Sequence, residues 1–246
     1  MTEAEQQGLA DGRRLRFLLP RRALCGAAGA QLGPQAGASL EFHDYRDYVP
    51  GDDLRNLDWN VLARTDREVV RVRHEEIAPV IEIFRDRTAS MTLPADKTRL
   101  ADYLTGLVTA AAPSCRVVER DHPQTTRAVR IFLSDLLTSD DPDRTLARLA
   151  HGAASLLVLR ILSREERAPV PGGAFTCCDI ETGEQRELVF DAATLAAYRT
   201  AFDAHTARWS AAARRHAATF VDLTAEDPAV DQIAALARAQ ILEGLA

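Results

Sequence analysis

The chain has 246 residues, of which 46% are hydrophobic and 27% are charged, and its formal net charge is −6. This hydrophobic content is enough for a sizeable core, and the length fits one large domain or one domain with an appended segment. The negative charge disfavours nonspecific binding to nucleic acid, and no apolar run approaches the ~18 residues that cross a bilayer. We therefore expect a soluble protein with no nucleic-acid partner and no membrane span.

Four cysteines lack the C-x-x-C spacing of a metal or redox pair: Cys25, Cys115, Cys177 and Cys178. Cys177 and Cys178 are neighbours, and on a strand their side chains would point to opposite faces of the sheet. The N-terminus shows no secretory signal, so we expect reduced, mostly buried thiols in a cytoplasmic protein.

The first part of the chain gives weak structural signals. Residues 1 to about 40 are rich in Gly, Ala and Arg, which predicts mostly loop with at most one short helix before Pro20. The alternating stretch from Glu68 to Glu76 predicts a half-exposed strand. We expect residues 1–77 to form an irregular, β-rich attachment and residues 78–246 to form the main domain.

From residue 78 onward, buried-strand patterns alternate with helical patterns. Strands are predicted in APVIEIF, CRVVE, AVRIFL, SLLVLRIL and ATFVDL, and a hairpin in FTCCDIETGEQRELVF. Helices are predicted from Ala95, from Pro142 to Ala150, after the capping residue Asp191, and in the final stretch VDQIAALARAQILEGL. This alternation predicts an α/β fold whose mostly parallel sheet has helices on both faces.

Side chains bearing oxygen follow two of these strands. Asp86, Thr88 and Ser90 occupy alternate positions after the first strand, and Ser134 and Asp135 end a later one. Ligands of open parallel sheets bind at the carboxyl ends of the strands, and hard oxygen ligands suit Mg²⁺. The sequence therefore makes Asp86, Thr88, Ser90 and Asp135 candidate ligands of one Mg²⁺ ion.

The same residues carry a resemblance to a known family. The pattern from Asp86 to Ser90 resembles the D-x-S-x-S metal-ion-dependent adhesion motif of von Willebrand factor A domains. The stretch EFHDYRDYVPGDDLRNLDWNVLART, followed by RTASM, IFLSDLL and CCDIETGEQRELVFD, is similar to a bacterial family, the domain-of-unknown-function fifty-eight family. The similarity runs from roughly Leu40 to the C-terminus.

The resemblance implies a von Willebrand A-like (Rossmann-like) α/β fold and a role in binding proteins rather than in catalysis. It also implies a MoxR-type AAA+ ATPase as partner, in the assembly or activation of other proteins. A competing interpretation is a metal-assisted hydrolase that uses Asp86 and Asp135.

The adhesion-type site has two interpretations. In the first, the four candidate ligands bind Mg²⁺ and leave one position open for a partner's carboxylate. In the second, the guanidinium group of Arg85 or Arg87 replaces the charge of the metal. The resemblance also implies a threonine ligand from another loop, for which Thr125 and Thr126 are the nearby candidates.

The charged signature between Tyr45 and Thr65 has a structural and a functional interpretation. Its Pro-Gly pair predicts a turn, and the acids after the turn can cap a short helix. In the structural interpretation, Arg–Asp pairs and a buried Trp59 clasp the attachment to the sheet. In the functional one, the signature is a partner-docking face. The residues concerned are Arg46, Tyr48, Pro50, Gly51, Asp52, Asp53, Arg55, Asp58, Trp59 and Arg64.

Overall fold

The structure is a computed structural model that describes residues 1–20, 44–49, 57–72, 78–170, 172–180 and 182–245. The chain divides into two compact units. The larger consists of Met1–Leu24 and Ala78–Ala246, and the smaller of Cys25–Ile77.

Helices and strands alternate through most of the larger unit. The described residues form the helices α1 Glu3–Gly12, α2 Trp59–Thr65, α3 Ala95–Ala111, α4 Pro142–Ala150, α5 Arg164–Arg167, α6 Ala192–Arg215 and α7 Ala229–Arg238, with a 3-10 turn at Ala89–Thr92. The strands are β1 Leu15–Phe17, β2 Asp44–Asp47, β3 Val69–Val72, β4 Val80–Arg85, β5 Arg116–Glu119, β6 Val129–Ser134, β7 Ser155–Leu162, β8 Gly173–Cys178, β9 Gln185–Phe190, β10 Thr219–Thr224 and β11 Leu242–Gly244. Across the described residues, no helix combines the length and apolarity needed to span a membrane.

The central sheet has five strands in the order β10-β7-β6-β4-β5, and each neighbouring pair is parallel. The central strands β6 and β7 are almost completely buried, which their continuous apolar sequence requires of a sheet covered on both sides. The prediction of an α/β fold with a parallel sheet is confirmed, and the arrangement is Rossmann-like.

Apolar side chains on the two faces of the sheet form separate cores. On one face, Ile83 and its neighbours pack with Leu107 of α3 and Leu236 of α7. On the other face, Val158 and its neighbours pack with Leu146 of α4 and Trp209 of α6. Helices therefore cover both faces, as predicted.

Capping side chains set the starts of two predicted helices. The carboxylate of Asp191 accepts a 2.8 Å hydrogen bond from the backbone N–H of Thr194, and this bond lowers the pKa of Asp191. Asp141 accepts a bond from the N–H of Asp143, and Pro142 fills the first position of α4. Both helices begin where the sequence predicts them.

A buried ion pair explains the acidic residue inside the apolar run of β4. Glu82 faces Arg130 on the neighbouring strand β6, and Arg130 Nε lies 3.1 Å from Glu82 Oε2. Both side chains are buried. Arg130 also donates to the carbonyls of Thr125, Leu149 and His151, so its guanidinium is well satisfied.

A second charged pair crosses from β7 to β10. Arg160 Nη2 donates to Asp222 Oδ2 at 2.9 Å, and the guanidinium lies between the rings of Phe202 and Phe220. The arginine is buried, whereas the side chain of Asp222 remains 34% exposed. This pair links the edge strand to the sheet and to α6 through cation–π contacts.

The N-terminal helix packs tightly against α3 through glycines. A Cβ atom at Gly8 would lie 2.1 Å from the carbonyl oxygen of Tyr103, and one at Gly106 would lie 2.2 Å from the carbonyl oxygen of Glu5. The two helix backbones therefore touch at these positions. Residues 1–20 belong to the same unit as the sheet, which differs from the attachment predicted over residues 1–77.

The C-terminal segment ends differently from its prediction. The last predicted helix stops at Arg238, and Gln240 takes a left-handed conformation with φ 56°. The chain then forms β11, which pairs antiparallel with β1, so the two ends of the larger unit meet in a small sheet.

The predicted hairpin is confirmed as β8 and β9, with Gly183 at φ 74° in its turn.

The smaller unit contains β2, α2 and β3. The strands β2 and β3 pair antiparallel, and the N–H of Tyr48 donates to the carbonyl of Glu68 at 2.9 Å. The strand predicted from Glu68 begins at Val69, and residues 73–77 lie outside the described part of the chain. Arg67 and Asp47, both exposed, form an ion pair of 3.2 Å that the sequence did not suggest.

The cysteines of the larger unit differ in exposure. Cys115 and Cys177 are partly buried and Cys178 is exposed, so the expectation of mostly buried thiols is wrong for Cys178; Cys25 lies outside the described residues.

Burial raises the pKa of the Cys115 thiol, so a smaller fraction of it is thiolate at a given pH. We expect iodoacetamide at about pH 8 to alkylate Cys178 roughly tenfold faster than Cys115. Peptide mass spectrometry over a time course checks this, and equal rates would contradict the partial burial of Cys115.

Candidate binding site at the carboxyl end of the sheet

The loop after β4 gathers three predicted ligands. Asp86 Oδ1 accepts a hydrogen bond from the backbone N–H of Thr88 at 2.9 Å, which folds the loop back toward the strand end. The hydroxyls of Thr88 and Ser90 share a hydrogen bond of 3.0 Å, at the start of the 3-10 turn. The structure therefore brings Asp86, Thr88 and Ser90 into one cluster.

Ser134 joins this cluster from the neighbouring strand, and the prediction missed it. Its hydroxyl donates to Asp86 Oδ2 at 2.6 Å. The N–H of Asp86 also donates to the carbonyl of Leu133, so the β4–β6 ladder continues one residue past β4 and places Ser134 beside Asp86. The signal in the sequence was the pair Ser134-Asp135, of which only Asp135 was chosen as a ligand.

The two arginines that flank Asp86 have other partners. Arg85 pairs with Asp102 of α3 at 2.7 Å, and Arg87 pairs with Glu119 of β5 at 3.0 Å. The hydrogen bond and charge of Glu119 raise the pKa of Arg87. The interpretation in which Arg85 or Arg87 replaces the metal's charge beside Asp86 stays a prediction, and each of these arginines has another acid as its ion-pair partner.

Asp135 lies in a different environment from the cluster. Its Oδ2 accepts a 2.9 Å bond from the ammonium group of Lys97, and its Oδ1 accepts a 3.0 Å bond from the N–H of Leu137. The same ammonium donates to Glu166 Oε1 at 2.6 Å. Lys97 and Asp135 are almost completely buried, at 0% and 2% exposure. The sequence prediction missed both Lys97 and Glu166.

The threonines proposed for the third loop lie elsewhere. The N–H of Thr125 donates to Glu82, and its carbonyl accepts from Arg130. Glu82 and Arg130 precede Asp86 and Ser134 by four residues in their strands, so Thr125 lies along the sheet face and not at the strand end. Thr125 therefore does not join the cluster of Asp86, and its neighbour Thr126 is exposed in the same loop.

A cleft of about 300 Å³ opens at the cluster and is lined by Asp86, Thr88, Met91 and Thr98, among others. Asp86 is half-buried and Thr88 is exposed. Within the described part of the chain, no Lys or Arg side chain lies within ion-pair distance of Asp86. A carboxylate among hydroxyls, without a cation of its own, can accept a positive group from a ligand.

The oxygens of Asp86, Thr88 and Ser90 are neighbours, and Asp86 and Thr88 line the cleft, so this group of oxygens fits a hard cation. Asp135 differs from Asp86, because it is almost completely buried and its charge is balanced by the ammonium group of Lys97. Among the described residues, no three His, Cys, Asp or Glu side chains group as metal ligands. A cation at the cluster would therefore rely on hydroxyl oxygens, and Mg²⁺ there stays a prediction.

The charged signature is only partly described. Pro50, Gly51, Asp52, Asp53 and Arg55 lie outside the described residues, as does the side chain of Arg46, whose backbone lies in β2. Tyr48 is half-buried and Arg64 is exposed in the last turn of α2.

Asp58 and Trp59 start α2, and only one of them is buried. The carboxylate of Asp58 caps the helix by accepting from the N–H groups of Asn60 and Val61, at 3.0 and 3.3 Å. Trp59 is 62% exposed, so the prediction of a buried anchor is wrong. The aspartate therefore has a structural role, while the indole is available for contact.

A family model described as "Protein of unknown function DUF58" matches residues 44–116. The match supports the DUF58 family for this part of the chain, which includes β2 to the start of β5 and therefore the cluster of Asp86, Thr88 and Ser90. Neither the curated proteins nor the solved structures gave a match.

Proposed function

We propose that this chain is a non-enzymatic protein-binding domain that contacts its partner with the carboxyl end of its sheet. The observation that carries this proposal is the environment of Asp86. It is an accessible carboxylate held by Ser134 and Thr88, and the arginines on either side of it are paired with other acids. Open parallel sheets bind ligands at this edge.

The geometry favours binding over hydrolysis. A hydrolase that uses Asp86 and Asp135 needs both carboxylates to act on one metal ion or one substrate. Asp135 is buried and neutralised by the ammonium of Lys97, and its other oxygen holds the turn at Leu137. The two carboxylates therefore have separate partners, which leaves Asp86 as the accessible one.

The partner that the family resemblance implies is a MoxR-type AAA+ ATPase. The DUF58 match supports the family resemblance on which this choice rests, and the Asp86 to Ser90 loop resembles the von Willebrand A adhesion motif. Mg²⁺, when bound, would be held by Asp86, Thr88 and Ser90 and would offer an open position to a carboxylate of the partner. The protein's own residues hold the loop in shape and keep its oxygens at the surface.

Exposed Trp59 supports a second contact surface in the signature. Trp59 is 62% exposed, and tryptophans are frequent among the residues that dominate interface energies. This surface belongs to the smaller unit, and it corresponds to the partner-docking interpretation of the signature.

The proposal predicts that Asp86→Asn weakens partner binding. Because the substitution removes the charge but keeps the side-chain shape, we expect Kd for a MoxR-type ATPase of the same genome to rise at least tenfold, about 1.4 kcal/mol. Biolayer interferometry with the immobilised chain measures it.

Asp203→Asn is the matched control, since Asp203 is an exposed aspartate on α6. The control should bind like the wild type. Equal Kd values for all three proteins would contradict a role for Asp86, and no binding by the wild type would contradict the choice of ATPase.

A further inference from the structure

Lys97 is an unusual residue for its place in the sequence. It lies in the first turn of α3, where the helix dipole disfavours a positive charge, and its side chain is 0% exposed. Buried lysines lose hydration of the ammonium group and are found only with compensating partners. A residue that breaks two local rules points to a role beyond helix formation.

The ammonium joins three elements at the carboxyl end of the sheet. It donates to Asp135, which follows β6, and to Glu166 of α5, which follows β7. Glu166 is itself fixed, because its Oε2 accepts from the N–H of Ser163 in a capping box. Lys97 thus ties the ends of two central strands to α3.

The arrangement is that of a structural cation site with the cation built into the chain. Two carboxylates from different elements converge on one point. Without a positive charge between them, these two carboxylates would repel each other. The neighbour of Asp135 is Ser134, whose hydroxyl holds Asp86 at 2.6 Å. The position of the loop that begins at Ser134 therefore depends on what neutralises Asp135.

We propose that the ammonium group of Lys97 takes the place that a divalent metal would hold between Asp135 and Glu166. This site lies on the strand-end face, by which we mean the carboxyl end of the sheet with the loops after β4 and β6. Lys97 is then a positioning residue that sets the loop after β6 and, through Ser134, the orientation of Asp86. Only this last consequence rests on the proposed function; the ion site itself does not.

Lys97→Met tests the proposal, because methionine keeps most of the apolar stem and removes the charge. We expect its Tm at neutral pH in EDTA to fall by roughly 10 °C, since one buried charge partner is lost. Millimolar Mn²⁺ should restore at least half of the fall, because Asp135 and Glu166 are then free to bind it. Bound Mn²⁺ is counted by electron paramagnetic resonance.

The matched control is the triple variant Lys97→Met/Asp135→Asn/Glu166→Gln, which is neutral at all three positions. Asparagine and glutamine keep the acceptors for the N–H groups of Leu137 and Ser163. We expect its Tm to lie closer to that of the parent protein, which carries Asp86→Asn alone, than the Tm of the single variant does. We expect no response of this Tm to Mn²⁺. All proteins carry Asp86→Asn as well, so that cation binding at Asp86 does not contribute.

Three outcomes would overturn the proposal. They are a single variant as stable as its parent, a single variant that gains neither stability nor bound Mn²⁺, and a triple variant as unstable as the single one or unable to fold. The last would mean that the lysine stem is needed for packing and the charge is not. Because the partner protein is not used, failure here is distinct from failure of the proposed function.

Discussion

Gly8→Ala should destabilise the protein by about 3 kcal/mol, although alanine is the better helix former. In a free helix this change is stabilising by about 1 kcal/mol. Here the added Cβ would lie 2.1 Å from the carbonyl oxygen of Tyr103, and a backbone atom of α3 cannot move aside as a flexible side chain can. Overpacking of this kind costs roughly 1–3 kcal/mol or more.

Urea unfolding followed by circular dichroism measures the effect. Gln6→Ala is the control, because Gln6 is exposed in the same helix, and it should change the free energy of unfolding by less than about 0.5 kcal/mol. Gly106→Ala, which meets the carbonyl of Glu5 from the other side, should resemble Gly8→Ala. A stabilising effect of Gly8→Ala would show that α1 does not lie against α3.

Arg130→Met should cost about 3–5 kcal/mol of stability, since it leaves the carboxylate of Glu82 buried without its cation. The substitution also removes the donors to the carbonyls of Thr125, Leu149 and His151. The loss is measured as the shift of the urea midpoint at constant m-value.

A double-mutant cycle with Glu82→Gln isolates the ion pair. Glutamine keeps an oxygen for the N–H groups of Gln124 and Thr125, so the loop before β6 retains its contacts. We expect a coupling energy of roughly 1–3 kcal/mol between the two positions. Additive effects would mean that Arg130 stabilises the protein through its contacts with the carbonyl groups and that its ion pair with Glu82 contributes nothing.

The sequence predicted the parts of the fold that depend on local pattern. Buried strands such as SLLVLRIL and the capped start of α6 at Asp191 are short-range signals, and the structure confirms them. The sequence did not predict the tight packing of α1, because glycines contribute nothing to apolar periodicity. It also missed β11, because Gln240 ends the last helix in a left-handed conformation that glycine or asparagine usually marks.

The same distinction applies to the site. Asp86, Thr88 and Ser90 lie on one loop, so their alternate spacing in the sequence was enough to predict that they form a cluster. Lys97 is 38 residues from Asp135 and 69 residues from Glu166, and only the fold reveals that they meet. The one local sign was a lysine in the first turn of a helix. Trp59 was misjudged because the sequence cannot tell which face of a seven-residue helix is covered.

Hydrogen–deuterium exchange of the chain, alone and with the MoxR-type ATPase, would locate the contact surface directly. If the partner binds the strand-end face, residues 86–92 and 134–138 should exchange more slowly in the complex, while the exposed α6 segment around Asp203 should not change. Protection confined to residues 59–65, with the strand-end loops unaffected, would contradict that account and assign the contact to the surface of Trp59.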